Sequence, residues 1–159
     1  MGTIEFLYDY PSVNDTEGLS SYQRDYQQKI KMFLKGDCSQ EIKDSITSRI
    51  LDFIRLNPES DWVIGFIPAP DVISTIMRYG ELALELGEKT DCRVYLDLFE
   101  PTISQDDILC KVNIERVLGK SIILIDSLFA SGQRYSIFQN KIIEAGAKEV
   151  YGIIIAKTS

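Results

Sequence analysis

The stretch Lys120-Ser-Ile-Ile-Leu-Ile-Asp126-Ser-Leu-Phe-Ala-Ser131-Gly132 decides the fold of this chain. Residues 121–125 form a short apolar run rich in β-branched side chains, which is typical of a buried strand. A loop is expected to begin at Asp126, and a helix is expected after Gly132 because apolar residues recur there at spacings of three and four: Tyr135, Phe138, Ile142 and Ala145. Free N–H groups at the start of that helix, together with the hydroxyl of Ser131, predict an anion-binding site.

The bulk properties of the chain set its class. Its 159 residues predict one domain with a core of its own, and 45% apolar residues predict a folded globule. A formal net charge of −7 argues against general nucleic-acid binding, which needs many Lys and Arg side chains on phosphates. No apolar run approaches the length of about 18 residues that a membrane span needs. The expectation is a cytoplasmic protein without a membrane partner.

The chemistry of the chain is limited by its cysteines and by the absence of histidine. Cys38, Cys92 and Cys110 are odd in number and widely spaced, so they are expected to be reduced thiols rather than disulfides or zinc ligands. Without histidine, Ser-His-Asp and Cys-His catalysis are excluded. Any reaction must rest on carboxylates, hydroxyls, backbone amides and a few cations.

The order of patterns along the chain predicts an α/β protein. Residues 3–8 alternate as a strand, 9–19 read as a loop, and helices are predicted from Ser20 to Phe33 and from Ser39 to Leu56. From residue 61, strands alternate with helices, which predicts a three-layer α/β/α arrangement around a mainly parallel sheet. One domain over residues 1–159 is expected, with 61–159 as its core and the strand and helices of 1–60 as a helical N-terminal region that could form a hood.

Three further expectations concern parts of that order. The helix after Asp71 is predicted to carry Ile73, Met77, Gly80 and Leu84 on one side, where Gly80 could mark close packing. Residues 97–110 are polar and acidic and are expected to form a long excursion. The loops Pro68–Asp71 and Asp126–Gly132 both follow buried strands, so both should lie at the carboxyl edge of the sheet, where ligands bind in such folds.

The segment from Ile122 through Gly132, with the later Gly146-Ala-Lys-Glu-Val150, resembles the type I phosphoribosyltransferases, and most of all the competence-protein-F type. The turn Ile67-Pro-Ala-Pro70 is similar to the strand-end loop of that family that receives pyrophosphate. The resemblance covers residues 61–156, and more loosely 1–60.

The resemblance implies a site for phosphoribosyl pyrophosphate (PRPP) or a nucleoside 5′-monophosphate, with Mg²⁺. It implies transfer of the phosphoribosyl group to a nitrogen acceptor with release of pyrophosphate. Asp126 would hydrogen-bond the ribose and is the candidate metal ligand. Phosphoribosyl binding would involve the segment that follows, made of Ser127, Ala130, Ser131, Gly132, Gln133 and Arg134. The loop of Pro68, Ala69, Pro70 and Asp71 would face pyrophosphate.

The chain also departs from the family pattern, and this keeps other functions open. Ser127 stands where a second acid is usual, and Ala130 replaces a hydroxyl or acidic residue. A non-catalytic regulator or partner-binding module of the same fold is therefore the alternative. A flavodoxin-like or receiver domain ranks last. It would need an acidic cluster at the end of the first strand, and here that strand ends near Asp9 and Asp15 without a partner lysine in a late strand. Four tyrosines near the N-terminus are compatible with a homodimer.

Overall fold

The computed structural model describes residues 3–10, 21–101, 110–129 and 131–158. The strands within these ranges are β1 Thr3–Tyr10, β2 Trp62–Phe66, β3 Arg93–Tyr95, β4 Phe99–Pro101, β5 Cys110–Val112, β6 Ser121–Phe129 and β7 Glu149–Thr158. The helices are α1 Ser21–Leu34, α2 Gln40–Leu56, α3 Val72–Lys89, α4 Ile114–Val117 and α5 Gln133–Glu144. The predicted loop at 9–19 falls largely outside the described residues.

The main sheet contains five strands in the order β1-β7-β6-β2-β3, and every pair in it is parallel. The long central strand β6 pairs with β2 from Trp62↔Ser121 onward and with β7 from Ser121↔Glu149 onward. β4 and β5 form a separate antiparallel pair at the two ends of the stretch 97–110 that was expected to be an excursion, most of which lies outside the described residues. The predicted parallel sheet is confirmed.

Alternation along the strands builds two cores, one on each face of the sheet. Ile123 and Ile125 of β6 pack on the side covered by α1, α2 and α3. Ile122 and Leu124 pack on the side covered by α4, α5 and the β4–β5 pair. The three-layer α/β/α prediction is therefore confirmed, and residues 1–60 contribute both an edge strand and two helices of the first layer.

The first correction concerns the end of β6. A loop was expected from Asp126, but the strand continues to Phe129 and keeps its parallel pairing with β7, through Asp126↔Ile154 and Leu128↔Ala156. Apolar side chains resume at Leu128, so burial of these side chains favours a strand that continues in the sheet. Asp126 therefore lies within the strand instead of in a loop. Asp126 is consequently only 2% exposed.

The side of α3 that faces the core is a different one from the apolar side read from the sequence. The buried residues are Thr75, Tyr79, Leu82 and Leu86. The predicted residues do share one side of the helix, but that side is turned to solvent, with Ile73 71%, Met77 59% and Leu84 70% exposed. The hydroxyl of Thr75 donates to the Asp71 carbonyl and accepts from the Ala69 amide, so the side that faces the core can be buried with its polar group satisfied.

The remaining helix boundaries follow local signals in the sequence. Ser39 accepts from the amide of Ile42 at the start of α2, and Asp71 accepts from the amide of Ser74 at the start of α3. Gly36 after α1 has a φ of +98°, a conformation that side chains rarely adopt. None of the helices among the described residues is long and apolar enough to cross a bilayer.

Candidate functional site

A pocket of about 300 Å³ lies where β6 ends and α5 begins. Five of the predicted site residues line it: Asp126, Ser127, Ser131, Gly132 and Arg134. The other lining residues are Leu34, Arg78, Leu128, Phe129 and Tyr135. Gln133 does not line it, Pro68–Asp71 lies beside it rather than in its wall, and Ala130 is outside the described residues. Most of the predicted residues between Asp126 and Arg134 thus line one cavity.

Asp126 is the buried charge of this pocket. One carboxylate oxygen, Oδ1, accepts from the amide of Ser127 at 2.8 Å. Burial raises the pKa of Asp126 to about 6, while Arg134, the Ser127 amide and Arg78 act in the opposite direction. The carboxyl group therefore changes charge close to neutral pH, which is common for groups that bind or react.

Several buried polar atoms in and next to the pocket wall have no hydrogen-bond partner among the described residues. In the wall they are Asp126 Oδ2, Arg78 Nε and the hydroxyl oxygen of Tyr135. The hydroxyl oxygen of Tyr79 is a fourth; Tyr79 does not line the pocket, but its neighbours Ser127 and Arg78 do. Burial raises the pKa of Tyr79 to about 12, and the charge of Asp126 acts in the same direction. Since buried polar groups in proteins are nearly always paired, such a cluster marks a place that a polar ligand or water would complete.

The start of α5 forms the second side of the pocket. Gly132 has a φ of +80°, and a Cβ there would lie 2.5 Å from Cζ of Phe129, so only glycine fits. The Ser131 hydroxyl accepts from the amide of Gln133 at 3.4 Å, at the end of the helix where amides are otherwise unpaired. This end of the pocket offers backbone N–H groups and a hydroxyl to an anion.

Arg134 connects the two predicted loops. Its guanidinium donates to the carbonyl of Pro68 and lies 5.8 Å from the ring centre of Phe138. The two loops do therefore meet at one edge of the sheet. The other polar groups of the Pro68–Asp71 loop form hydrogen bonds within the chain: the amide of Ala69 donates to the hydroxyl of Thr75, and the carboxylate of Asp71 caps α3. The cap lowers the pKa of Asp71.

The sequence did not identify Arg78, Tyr135 or Leu34 as pocket residues. Arg78 reaches the pocket from α3, where its Nη2 also donates to the Leu34 carbonyl at 3.4 Å. Tyr135 was expected to be an ordinary core residue of α5, and Leu34 ends α1, far away in sequence. The one local signal was an arginine next to the buried side of α3.

The described residues provide a poor set of metal ligands. No three Cys, Asp or Glu side chains among them come together, and Asp126 is the one carboxylate in the described pocket wall. Mg²⁺ sites commonly use one or two carboxylates together with phosphate oxygens and water. The residues present do not form a magnesium site by themselves.

Replacement of Tyr135 by Phe is expected to stabilise the protein by about 1 kcal/mol, because it removes a buried hydroxyl that has no partner in the described part of the chain. Urea denaturation would measure the difference. Tyr151→Phe is the matched control: its hydroxyl bonds to Glu5, so its loss should destabilise by about 1 kcal/mol. A destabilised Tyr135→Phe protein would show that this hydroxyl has a partner after all.

Comparisons with known proteins find similar solved structures but no matching family model or curated sequence. Among solved structures, the chain is similar to a purine phosphoribosyltransferase from Pyrococcus horikoshii Ot3. The two are 13% identical, with a TM-score of 0.46, over 76% of this chain and 86% of the other.

Proposed function

We propose that this protein binds a phosphorylated ribose, either PRPP or a nucleoside 5′-monophosphate, in the pocket between β6 and α5. The observation that carries the proposal is Oδ2 of Asp126, which is buried without a hydrogen-bond partner among the described residues, in a pocket that the start of α5 also lines. A sugar phosphate has hydroxyls that can donate to the carboxylate of Asp126 and an anionic phosphate that can bind the amides at the start of α5. The resemblance of the stretch 122–132 to the phosphoribosyltransferases supports the same ligand class.

The polar groups of the pocket suit a role for each part of such a ligand. Asp126 would accept hydrogen bonds from ribose hydroxyls, and charge-assisted bonds of this kind are strong in a buried setting. The amides around Gly132 and Gln133, with the Ser131 hydroxyl, would surround the 5′-phosphate. Arg78 and Arg134 would balance its charge, and Arg134 would reach it from its bond to Pro68. Pyrophosphate, if bound, would lie toward Pro68–Asp71.

Binding without transfer is the second candidate function, and one observation favours it. Ser127 takes the place of a second acid, and it is only 4% exposed. A pocket wall with one carboxylate gives Mg²⁺ few protein ligands, so magnesium would depend on the phosphates of the ligand. Release of pyrophosphate with any nitrogen acceptor would establish a transferase. Binding with no release would establish a regulatory or partner-binding role.

The test is calorimetric titration with PRPP and Mg²⁺, and separately with AMP, GMP and UMP. We expect saturable binding of at least one of them, weakened about 10- to 100-fold in Asp126→Asn and less in Ser131→Ala. Asp91→Asn is the matched control, since that carboxylate is exposed and remote from the pocket lining, and it should bind like the wild type. Equal affinity of wild type and Asp126→Asn would contradict the proposal.

A further inference from the structure

The pocket wall has more hydrogen-bond donors and more positive charge than its own acceptors can pair. Among its described residues, the buried polar atoms without a partner are one acceptor, Oδ2 of Asp126, and two groups that donate, Nε of Arg78 and the hydroxyl of Tyr135. Its described charged residues are two arginines, Arg78 and Arg134, and the one carboxylate of Asp126. A matching ligand must therefore bring acceptors and negative charge.

Arg78 is the donor of this wall whose hydrogen bonds are least satisfied. Its Nε is buried without a partner among the described residues, and its Nη2 donates to the carbonyl of Leu34 at 3.4 Å, which is long for such a bond. The carboxylate of Asp126 attracts it, but Arg134 acts on the same carboxylate more strongly. Guanidinium groups usually pair with an anion through several N–H groups at once, so Arg78 has capacity left for one.

The packing of α3 holds Arg78 in reach of the pocket. α3 begins at the carboxyl edge of the sheet, and Arg78 lies about two turns after the N-cap residue Asp71. Side chains of a helix lean toward its N-terminus, so a long arginine side chain in this turn reaches back to that edge. The next residue, Tyr79, is fully buried and packs on the rings of Phe66 and Phe33, with ring centres 4.7 and 5.8 Å away. The guanidinium is therefore placed by a rigid part of the helix.

Arg78 lies apart from the groups proposed to surround the 5′-phosphate. Those groups belong to the start of α5, whereas Arg78 belongs to α3, in the helical layer on the other face of the sheet. The Pro68–Asp71 loop leads into α3, but the amide of Ala69 and the carboxylate of Asp71 are already bonded within the chain. Near this loop, Arg78 is thus the described donor that remains for another anion.

Resting on the proposed function, we infer that the pocket selects a phosphorylated ribose that carries a second anionic group, and that Arg78 binds this second group. PRPP has such a group in its pyrophosphate. A nucleoside 5′-monophosphate has an uncharged base instead, so Nε of Arg78 would stay unpaired, and a buried donor without a partner reduces affinity. Arg78 is then the residue that determines which phosphorylated ribose binds.

Calorimetric titrations with ribose 5-phosphate, AMP and PRPP test this inference. They are made without Mg²⁺, because a metal ion would itself neutralise the pyrophosphate. PRPP should bind at least about 10-fold more tightly than either of the others. Arg78→Gln should weaken the binding of PRPP by about 10- to 100-fold and that of ribose 5-phosphate by less than about 3-fold. Retained binding of ribose 5-phosphate also shows that the variant is folded.

Two further variants separate the contact from general charge. Arg93→Gln removes the same charge from an exposed arginine at the amino end of the sheet, where it pairs with Val63, and should keep the preference for PRPP. Arg78→Lys keeps the charge without the planar guanidinium and should bind PRPP with an affinity between those of the wild type and Arg78→Gln.

The outcomes distinguish this inference from the proposed function. Equal affinity of the wild type for PRPP and ribose 5-phosphate would overturn the inference and leave the phosphate site standing. The same holds if Arg78→Gln weakens both ligands equally, which would mean that one phosphate contacts both arginines, or if the preference appears only with Mg²⁺. Binding of none of the three ligands would overturn the proposed function as well.

Discussion

Asp126→Asn is expected to raise the free energy of unfolding by roughly 3 kcal/mol at pH 8, although the same change weakens ligand binding. Burial raises the pKa of Asp126 to about 6 from an ordinary value of 3.8. A group with a raised pKa stabilises the folded state while it is protonated, and this contribution is lost as the pH rises through 6. Each pKa unit corresponds to about 1.4 kcal/mol, which gives the expected size.

The dependence on pH tests the cause of that effect. The two proteins should differ most above pH 7, less as the pH falls below 6, and hardly at all near pH 3, where the carboxyl is mostly neutral in both the folded and the unfolded chain. Urea denaturation at pH 8, 5.5 and 3 would measure the difference, with Asp91→Asn as the exposed control. A destabilised Asp126→Asn protein at pH 8 would mean that the carboxylate holds the neighbouring arginines in a structural ion pair.

Gly152→Ala is expected to destabilise the protein by about 2–4 kcal/mol. Gly152 lies in β7 beside Leu124 of β6, and the ring of Tyr135 packs directly on it. A Cβ at this position would lie 2.6 Å from Cζ and 3.0 Å from Cε2 of that ring. The ring is rigid and only 1% exposed, so it cannot yield without moving α5, and overpacked cores lose stability on this scale.

Gly87→Ala is the matched control for this substitution. It adds the same methyl group at a site with nothing within 4 Å, in a helix where alanine is favoured, and should stabilise by up to about 1 kcal/mol. Thermal or urea unfolding of both variants gives the comparison. If Gly152→Ala were as stable as the wild type, the contact between Tyr135 and β7 would be looser than described.

The layers and the sheet were predictable because alternation and helical periodicity are local properties of the chain. One error came from a choice that only the packed protein makes. An acid after an apolar run usually ends a strand, yet Asp126 stays in the sheet because Leu128 and Phe129 continue the pairing with β7. α3 is apolar on two sides, so the sequence did not determine which side packs on the sheet; Ile73 and Met77 are turned outward.

The site was predictable where one contiguous stretch forms it. Asp126, Ser131, Gly132 and Arg134 lie in that stretch, and the structure brings them to one pocket. Arg78 comes from a helix about fifty residues earlier, and no motif connects it to Asp126. Its place in the wall depends on how α3 packs on the sheet, which the sequence pattern does not determine.

Asp126 and Ser127 are consecutive residues of β6, and this affects how the protein would respond to a ligand. Consecutive strand residues point to opposite faces, so the pocket touches both helical layers, through Arg78 on one side and through Arg134 and Tyr135 on the other. A molecule bound there would contact both helical layers at once and so stabilise their packing on the sheet. At a concentration 100 times its dissociation constant, the ligand would add about 2.7 kcal/mol to the free energy of unfolding. This nearly offsets the loss of stability that the buried, ionised Asp126 causes at pH 8.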